Sequence, residues 1–146
     1  MQTHTLSDEN LGPLINDLSR VWRARLDQRL KPMGLSQVQW RVLLMLARLE
    51  TAPRQGELAE RIGVEGPTLV KLLDRMARRG WVQRRPSPED RRCKTVHLTP
   101  KARGVVQKIR KVTSGFRKEL FAAVSADELQ RCTHTLQALL SRAEGL

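Results

Sequence analysis

The 146-residue sequence predicts a mainly helical fold with one small β-hairpin, arranged as a winged helix-turn-helix between flanking helices. Three observations support this fold class. Apolar residues recur at three- and four-residue intervals over most of the chain, which is typical of amphipathic helices. Over residues 81–98 the apolar period falls to about two, which indicates paired strands. Two short helical segments come directly before that hairpin, as in a winged helix-turn-helix.

Two longer helices are expected before the central motif. The first covers residues 11–30, with Ser7 as its expected N-cap and Lys31-Pro32 as its end. Ser36 is expected to cap the second helix, which the segment 51–53 terminates. The predicted buried side of this second helix is Val38, Trp40, Val42, Leu43, Leu46 and Leu49.

The central motif is predicted to consist of helices over residues 56–62 and 67–79. Gly63 and Gly80 are expected to end them, because glycine adopts the left-handed conformation of helix C-termini without steric cost. Pro67 stands near the first helical position, where its missing N–H costs nothing.

The hairpin and two further helices complete the prediction. Strands over residues 81–85 and 93–98 flank a turn-rich tip. Thr99-Pro100 and Ser125 are start signals for the two C-terminal helices.

The net charge of +12 directs attention to polyanionic partners. A membrane partner is disfavoured, since the longest apolar run, residues 42–47, is far shorter than the ~20 residues of a bilayer span. The N-terminus shows no secretory signal, so we expect a bacterial cytoplasmic, nucleoid-associated protein.

The helix over residues 67–79 is predicted to carry a basic face. At about 100° per residue, its cations lie in one stripe with Thr68 at the N-terminal end, and its large apolar residues lie on the adjacent side. The cations of the stripe are Lys71, Arg75, Arg78 and Arg79. Such a helix suits the major groove of duplex DNA, with its first residues against base edges and its later cations against phosphates.

The predicted hairpin tip adds Arg91 and Arg92, a residue type that enters narrow A·T-rich minor grooves. Asp74 and Asp90 are interpreted as orienting groups, because a carboxylate can hold an arginine by a bidentate pair. An ordinary charged turn is the alternative interpretation.

These residues resemble the MarR family, in particular its SlyA-like branch. The resemblance to the family rests on LAERIGV at 58–64, PTLVKLLD at 67–74, GWV at 80–82, DRR at 90–92 and VHLT at 96–99. The resemblance to the branch rests on VWRARLDQRLKP at 21–32, LSQ at 35–37 and Trp40. It implies a homodimer on pseudo-palindromic promoter DNA, acting as a repressor. By position it implies major-groove contacts from Pro67, Thr68 and Lys71 and a minor-groove contact from Arg92. Lys71 stands where the branch commonly has arginine, and lysine lacks the fork that reads guanine bidentately.

The resemblance also implies domains and an effector. Residues 1–35 and 100–146 would form the dimerisation part, and residues 36–99 the DNA-binding domain. A small aromatic acid would bind between them and lower the affinity for DNA. Arg20, Arg23 and Trp40 match positions that line this crevice, with a core role for Trp40 and a surface role for the arginines as the alternative.

No catalytic motif, cofactor motif or metal-ligand cluster is apparent, and we expect neither enzymatic activity nor a metal. The alternative function is a basic RNA- or ribosome-associated protein. That class explains the charge but not a wing placed directly after a basic helix. RNA-binding modules also present stacking aromatics, whereas only three Trp and two Phe occur here.

Overall fold

A computed structural model of the chain describes residues 8–146, so the expected cap Ser7 lies outside the described residues. A 3₁₀ turn at Asp8–Asn10 leads into helix α1 (Leu11–Leu30). A second 3₁₀ turn, Lys31–Met33, follows α1. The predicted end of the first helix at Lys31-Pro32 is confirmed.

Helix α2 (Gln37–Arg48) begins at the predicted cap. The Ser36 hydroxyl accepts a hydrogen bond from the Gln39 backbone N–H at 3.2 Å. In return the Gln39 side-chain oxygen accepts from the Ser36 backbone N–H at 3.0 Å. This capping box satisfies two backbone donors that the first helical turn leaves without partners.

Helices α3 (Gln55–Ile62) and α4 (Gly66–Arg78) form the predicted pair. Gly63 ends α3 with φ 79° and Gly80 follows α4 with φ 77°, a region that is costly for other residues. At the end of α4, the Gly80 N–H donates to the Ala77 carbonyl and the Trp81 N–H to the Met76 carbonyl. These two bonds form a Schellman motif, which ends the helix at Arg78 with Arg79 as its C-cap.

Strands β1 (Val82–Pro86) and β2 (Lys94–Leu98) form an antiparallel hairpin with Val82 opposite Leu98. Each strand begins one residue later than predicted. Trp81 is excluded from β1 because its N–H belongs to the cap of α4. Cys93 instead closes the wing turn, where its carbonyl accepts from the Ser87 N–H at 2.8 Å.

The segment that precedes α3 pairs with the hairpin through an isolated β-bridge. Arg54 forms an isolated antiparallel bridge with Thr95. The Val96 N–H donates to the Pro53 carbonyl at 2.9 Å. The wing sheet is therefore attached to the start of the helix-turn-helix, a long-range pairing that the sequence pattern did not predict.

The core of this region is apolar and comes from α2, α3, α4 and the hairpin. The predicted buried side of α4 is confirmed, and Leu73 is 0 % exposed. Core residues of this region include Val42, Leu43, Leu58, Ile62, Leu69, Leu72, Leu73, Met76, Val82 and Val96. In α2, Val38 and Leu49 are only half-buried.

Helices α5 (Ala102–Leu120) and α6 (Ala126–Glu144) complete the chain. The Thr99 hydroxyl donates to the Gly80 carbonyl and accepts from the Ala102 N–H. Ser125 and Glu128 form a second capping box, as the start signal predicted. The chain divides into two compact units within α5, one ending at Val112 and one beginning at Thr113.

Several large apolar side chains remain exposed on each of the helices α1 and α6 in the isolated chain. On α1 the predicted apolar stripe is buried only at Leu26 and Leu30. Its remaining members are Leu11, Leu14, Ile15, Leu18 and Val21, which are exposed, and Trp22, which is half-buried. On α6 the exposed large apolar residues are Leu136, Leu139 and Leu140.

Candidate nucleic-acid interface

The outward face of α4 carries the predicted stripe. Pro67, Thr68, Lys71, Arg75 and Arg79 are all exposed, while the opposite side of the helix is buried. Within the described residues, the acid of α4, Asp74, does not pair with a cation of this stripe. The stripe is therefore a continuous cationic surface that begins at the helix N-terminus, where the helix dipole adds partial positive charge.

Arg79 is held by an aromatic ring. Its guanidinium carbon lies 4.3 Å from the centroid of the Trp81 ring, a cation–π arrangement. Trp81 itself is buried, so the ring provides a fixed platform. The arginine side chain consequently has a defined direction, although it is exposed.

Asp74 pairs with an arginine of the wing, in keeping with an orienting role. Its Oδ1 lies 2.5 Å from a terminal nitrogen of Arg84, on strand β1, and not beside an arginine of the wing tip. The ion pair is partly shielded, with side-chain exposures of 42 % for Asp74 and 23 % for Arg84. It joins the candidate recognition helix to the first strand of the wing.

Among the described residues, Asp90 in contrast contacts backbone groups and not an arginine side chain. Its Oδ1 accepts from the Arg92 backbone N–H at 3.0 Å, and its carbonyl accepts from the Cys93 N–H at 3.0 Å. Asp90 therefore shapes the backbone of the wing turn, and no described contact joins it to an arginine side chain. Arg91 and Arg92 are exposed at this turn.

Sequence reasoning missed the ion pair between Arg54 and Glu89. The two side chains approach to 2.6 Å, with 40 % and 80 % of each exposed. Glu89 lies in the wing turn and Arg54 is the N-cap residue of α3. The separation of 35 residues explains why no local pattern signalled the contact.

His97 lies on β2 within this sheet. Its Nε2 is 2.8 Å from the Thr95 hydroxyl. Burial, and secondly the charge of Arg85, lower the pKa of His97 below its usual value of 6.5. The neutral imidazole is therefore favoured in the folded wing.

The three residues proposed to line an effector crevice have different environments. Trp40 is 3 % exposed, and its indole N–H donates to Asp27 at 3.2 Å, which favours the packing role. Arg20 is exposed and lies 3.6 Å from Asp17. Arg23 is half-buried. The pKa of Arg41 is lowered, first by the burial of Arg41 and secondly by the charge of Arg23.

Arg41 is a residue that sequence reasoning missed in this area. It lies on α2, is half-buried, and donates to the Ile62 carbonyl at 3.0 Å. A cation between the buried apolar residues Trp40 and Val42 was the available signal.

Within the described range, residues 8–146, no cluster of three or more His, Cys, Asp or Glu side chains is arranged to hold a metal ion. Nor does any helix in that range have the length and apolar character needed to cross a membrane.

Comparison with known proteins agrees with this arrangement. Residues 33–92 match the model of the MarR family. The crystal structure of the transcriptional regulator PA3341 is 42% identical, with a TM-score of 0.83, over 92% of this chain and 98% of that one. The apo form of wild-type MarR from E. coli is 27% identical, with a TM-score of 0.74, over 89% and 96% of the two chains.

A MarR-family regulator from Rhodococcus sp. RHA1 shares the fold with a TM-score of 0.77 at 23% identity, covering 94% of this chain and 96% of that chain. The helix pair, the hairpin wing and the flanking helices define a winged-helix transcriptional regulator. The chain belongs to the MarR family.

Proposed function

We propose that the protein is a sequence-specific repressor that binds pseudo-palindromic promoter DNA as a homodimer, within the SlyA-like branch of its family. The observation that carries the proposal is the exposed face of α4, where Thr68, Lys71 and Arg75 lie beside a fully apolar buried side. A buried side of this kind anchors the helix, and the exposed stripe is left free to enter the major groove.

The residues of the interface divide by role. Pro67, Thr68 and Lys71 stand in the first turns of α4 and are assigned to the base edges. Arg75 and Arg79 stand further along and are assigned to phosphates. Arg91 and Arg92, exposed at the wing turn, are assigned to the adjacent minor groove, with Arg92 as the inserted side chain.

Dimerisation is supported by the exposed apolar residues of α1 and α6. Leu14 is 56% exposed and Leu140 is 60% exposed in the isolated chain. Rows of exposed large apolar side chains on a helix are typical of a surface that a partner covers, and a second copy would cover those of each helix. We therefore retain residues 1–35 and 100–146 as the dimerisation part and residues 36–99 as the DNA-binding domain.

We propose that a small effector binds beside helices α1 and α2. Arg23 and Arg41 are half-buried cations without an ion-pair partner among the described residues, and a carboxylate would supply a counter-charge. The proposed ligand is a small aromatic acid, as the resemblance to the family implies, and exposed Arg20 is a further candidate contact. The packed position of Trp40 favours a supporting role for this side chain.

The proposed site of action is the bacterial cytoplasm, at the nucleoid.

The test is selection of bound duplexes from a random pool, followed by fluorescence anisotropy on the selected duplex and a scrambled control. We expect the selected duplex to contain inverted half-sites about 10 bp apart and to bind at least ~10³-fold more tightly than the control. Lys71→Ala should weaken binding, and Arg92→Ala should flatten any preference for A·T-rich flanks, whereas Arg103→Ala on α5 serves as the matched cation control. Equal affinity for both duplexes would contradict the proposal.

Two further experiments test dimerisation and the effector. Sedimentation of the free protein should give a dimer, and replacing both Leu139 and Leu140 with Ser should shift it toward monomer. Salicylate, as the aromatic-acid probe, should weaken DNA binding of the wild type more than of Arg23→Ala. Efficient competition by single-stranded RNA would favour the RNA-associated alternative instead.

A further inference from the structure

A cavity of about 360 Å³ lies between the start of α2 and the C-terminal half of α4. Its lining consists of Gly34, Gln39, Arg75, Arg78 and Arg79. Three of the five residues are permanently charged cations and none is an acid. A concave surface with this lining has an electrostatic potential that favours anions strongly.

The arginines of this cavity are not neutralised within the described part of the chain. Neither Arg75 nor Arg78 has an ion-pair partner there, and Asp74 is engaged by Arg84. Three guanidinium groups in one concavity repel one another, so an oxyanion shared among them would lower the electrostatic free energy of the site. The cavity therefore lacks the counter-charge that a purely structural cluster would contain.

Two contacts organise the site in advance. The Trp81 ring holds one face of the Arg79 guanidinium at 4.3 Å and leaves the edge of that group free to donate hydrogen bonds. The side-chain oxygen of Gln39 is used by the Ser36 N–H, and this orientation leaves the Gln39 amide NH₂ group as a donor. Donors that are oriented before binding lose less entropy when a ligand arrives.

We propose that this cavity is an oxyanion site that takes a phosphate group. Phosphate matches the bidentate fork of arginine, and its two negative charges suit three cations better than a monocarboxylate does. The phosphate has two sources, a backbone phosphate of bound DNA or a free phosphate compound. The first source rests on the proposed function, and the second does not. A free phosphate bound here would compete with DNA, because Arg75 and Arg79 belong to both surfaces.

The first arm of the test uses the DNA-free protein. Sodium pyrophosphate is titrated calorimetrically at constant ionic strength into the wild type, into R75A/R78A and into the control R103A, each checked for folding by circular dichroism. If a free phosphate compound is a ligand, the wild type and R103A bind and R75A/R78A binds at least tenfold more weakly. Equal binding by all three proteins overturns the proposal.

The second arm measures the salt dependence of binding to a random-sequence 24-bp duplex. Each lost phosphate contact reduces the slope of log K against log salt by about 1, so R75A/R78A should lose about 2 and R103A about 0. A slope reduced by about 2, one contact more than Arg75 alone accounts for, identifies the DNA backbone as the source. An unchanged slope, together with no pyrophosphate binding, overturns the proposal. If the wild type binds no duplex, the proposed function is wrong. The calorimetric arm still tests whether the cavity binds a phosphate compound.

Discussion

The ion pair between Asp74 and Arg84 connects the candidate recognition helix to the wing, and its removal gives a quantitative prediction. At a charge separation of about 4 Å, the attraction is about 1 kcal/mol in bulk water and about 4 kcal/mol at an effective dielectric constant of 20. Side-chain exposures of 42 % and 23 % place this pair nearer the aqueous limit. After the loss of rotamer entropy and hydration, we expect a coupling free energy of about 1 kcal/mol.

The assay is a double-mutant cycle with Asp74→Asn, Arg84→Gln and the double variant, measured by urea unfolding. The coupling should appear in the unfolding midpoint with an unchanged slope, because the surface exposed on unfolding stays the same. Since independent substitutions are additive to within about 0.3–0.5 kcal/mol, a coupling below that range would refute the reasoning. Arg103→Gln, on the exposed side of α5, should be additive with Asp74→Asn.

Asp74→Asn also distinguishes two effects of Asp74 on DNA binding, namely its negative charge and its role in positioning the wing. Asp74→Asn removes a negative charge close to the cationic stripe, so electrostatics alone predicts tighter binding to a random duplex. If the ion pair positions the wing, discrimination between the selected and scrambled duplexes should fall. An increase of both affinities by the same factor would show that Asp74 has no positioning role.

Three further predictions concern stability. Leu73→Ala should cost about 2–5 kcal/mol in urea unfolding, because this side chain is 0 % exposed and a cavity would remain; a cost below about 1 kcal/mol would contradict the packing described. Ser36→Ala should cost about 1 kcal/mol by removing the cap of α2, and Ser36→Asp should restore most of it. Burial and the charge of Arg85 lower the pKa of His97, so the unfolded chain binds the proton more readily. Stability should therefore be complete above about pH 7 and fall as the pH decreases below 6.5, and His97→Gln should reduce this dependence in urea midpoints measured from pH 5 to 8.

Local features of the fold were predictable from the sequence because they depend on neighbouring residues. The capping serines 36 and 125, and the glycines 63 and 80 that end α3 and follow α4, all occur where the structure needs them. The helical period also predicted which side of α4 is buried. These signals act over four residues or fewer, which is the range that a linear pattern can encode.

Contacts between distant segments were not predictable in the same way. The partner of Asp74 is Arg84 because the strand after the α4 turn runs back beside the helix, a matter of tertiary geometry. The pairing of Arg54 with Glu89 has the same origin. Burial of Trp40 likewise depends on the neighbours that the fold supplies, since an aromatic residue on an amphipathic helix fits both a core and a ligand wall.

The backbone pairing of Pro53 and Arg54 with β2 has a consequence for protein engineering. Because the Pro53 carbonyl receives the Val96 N–H, the wing and the entry to α3 share one hydrogen-bonded frame. If only the hairpin is replaced by that of a relative, the new β2 must pair with the unchanged Pro53 and Arg54 in the same register. The smallest exchangeable block is therefore residues 53–98, and chimaeras cut at its two ends should retain the binding preference of the donor.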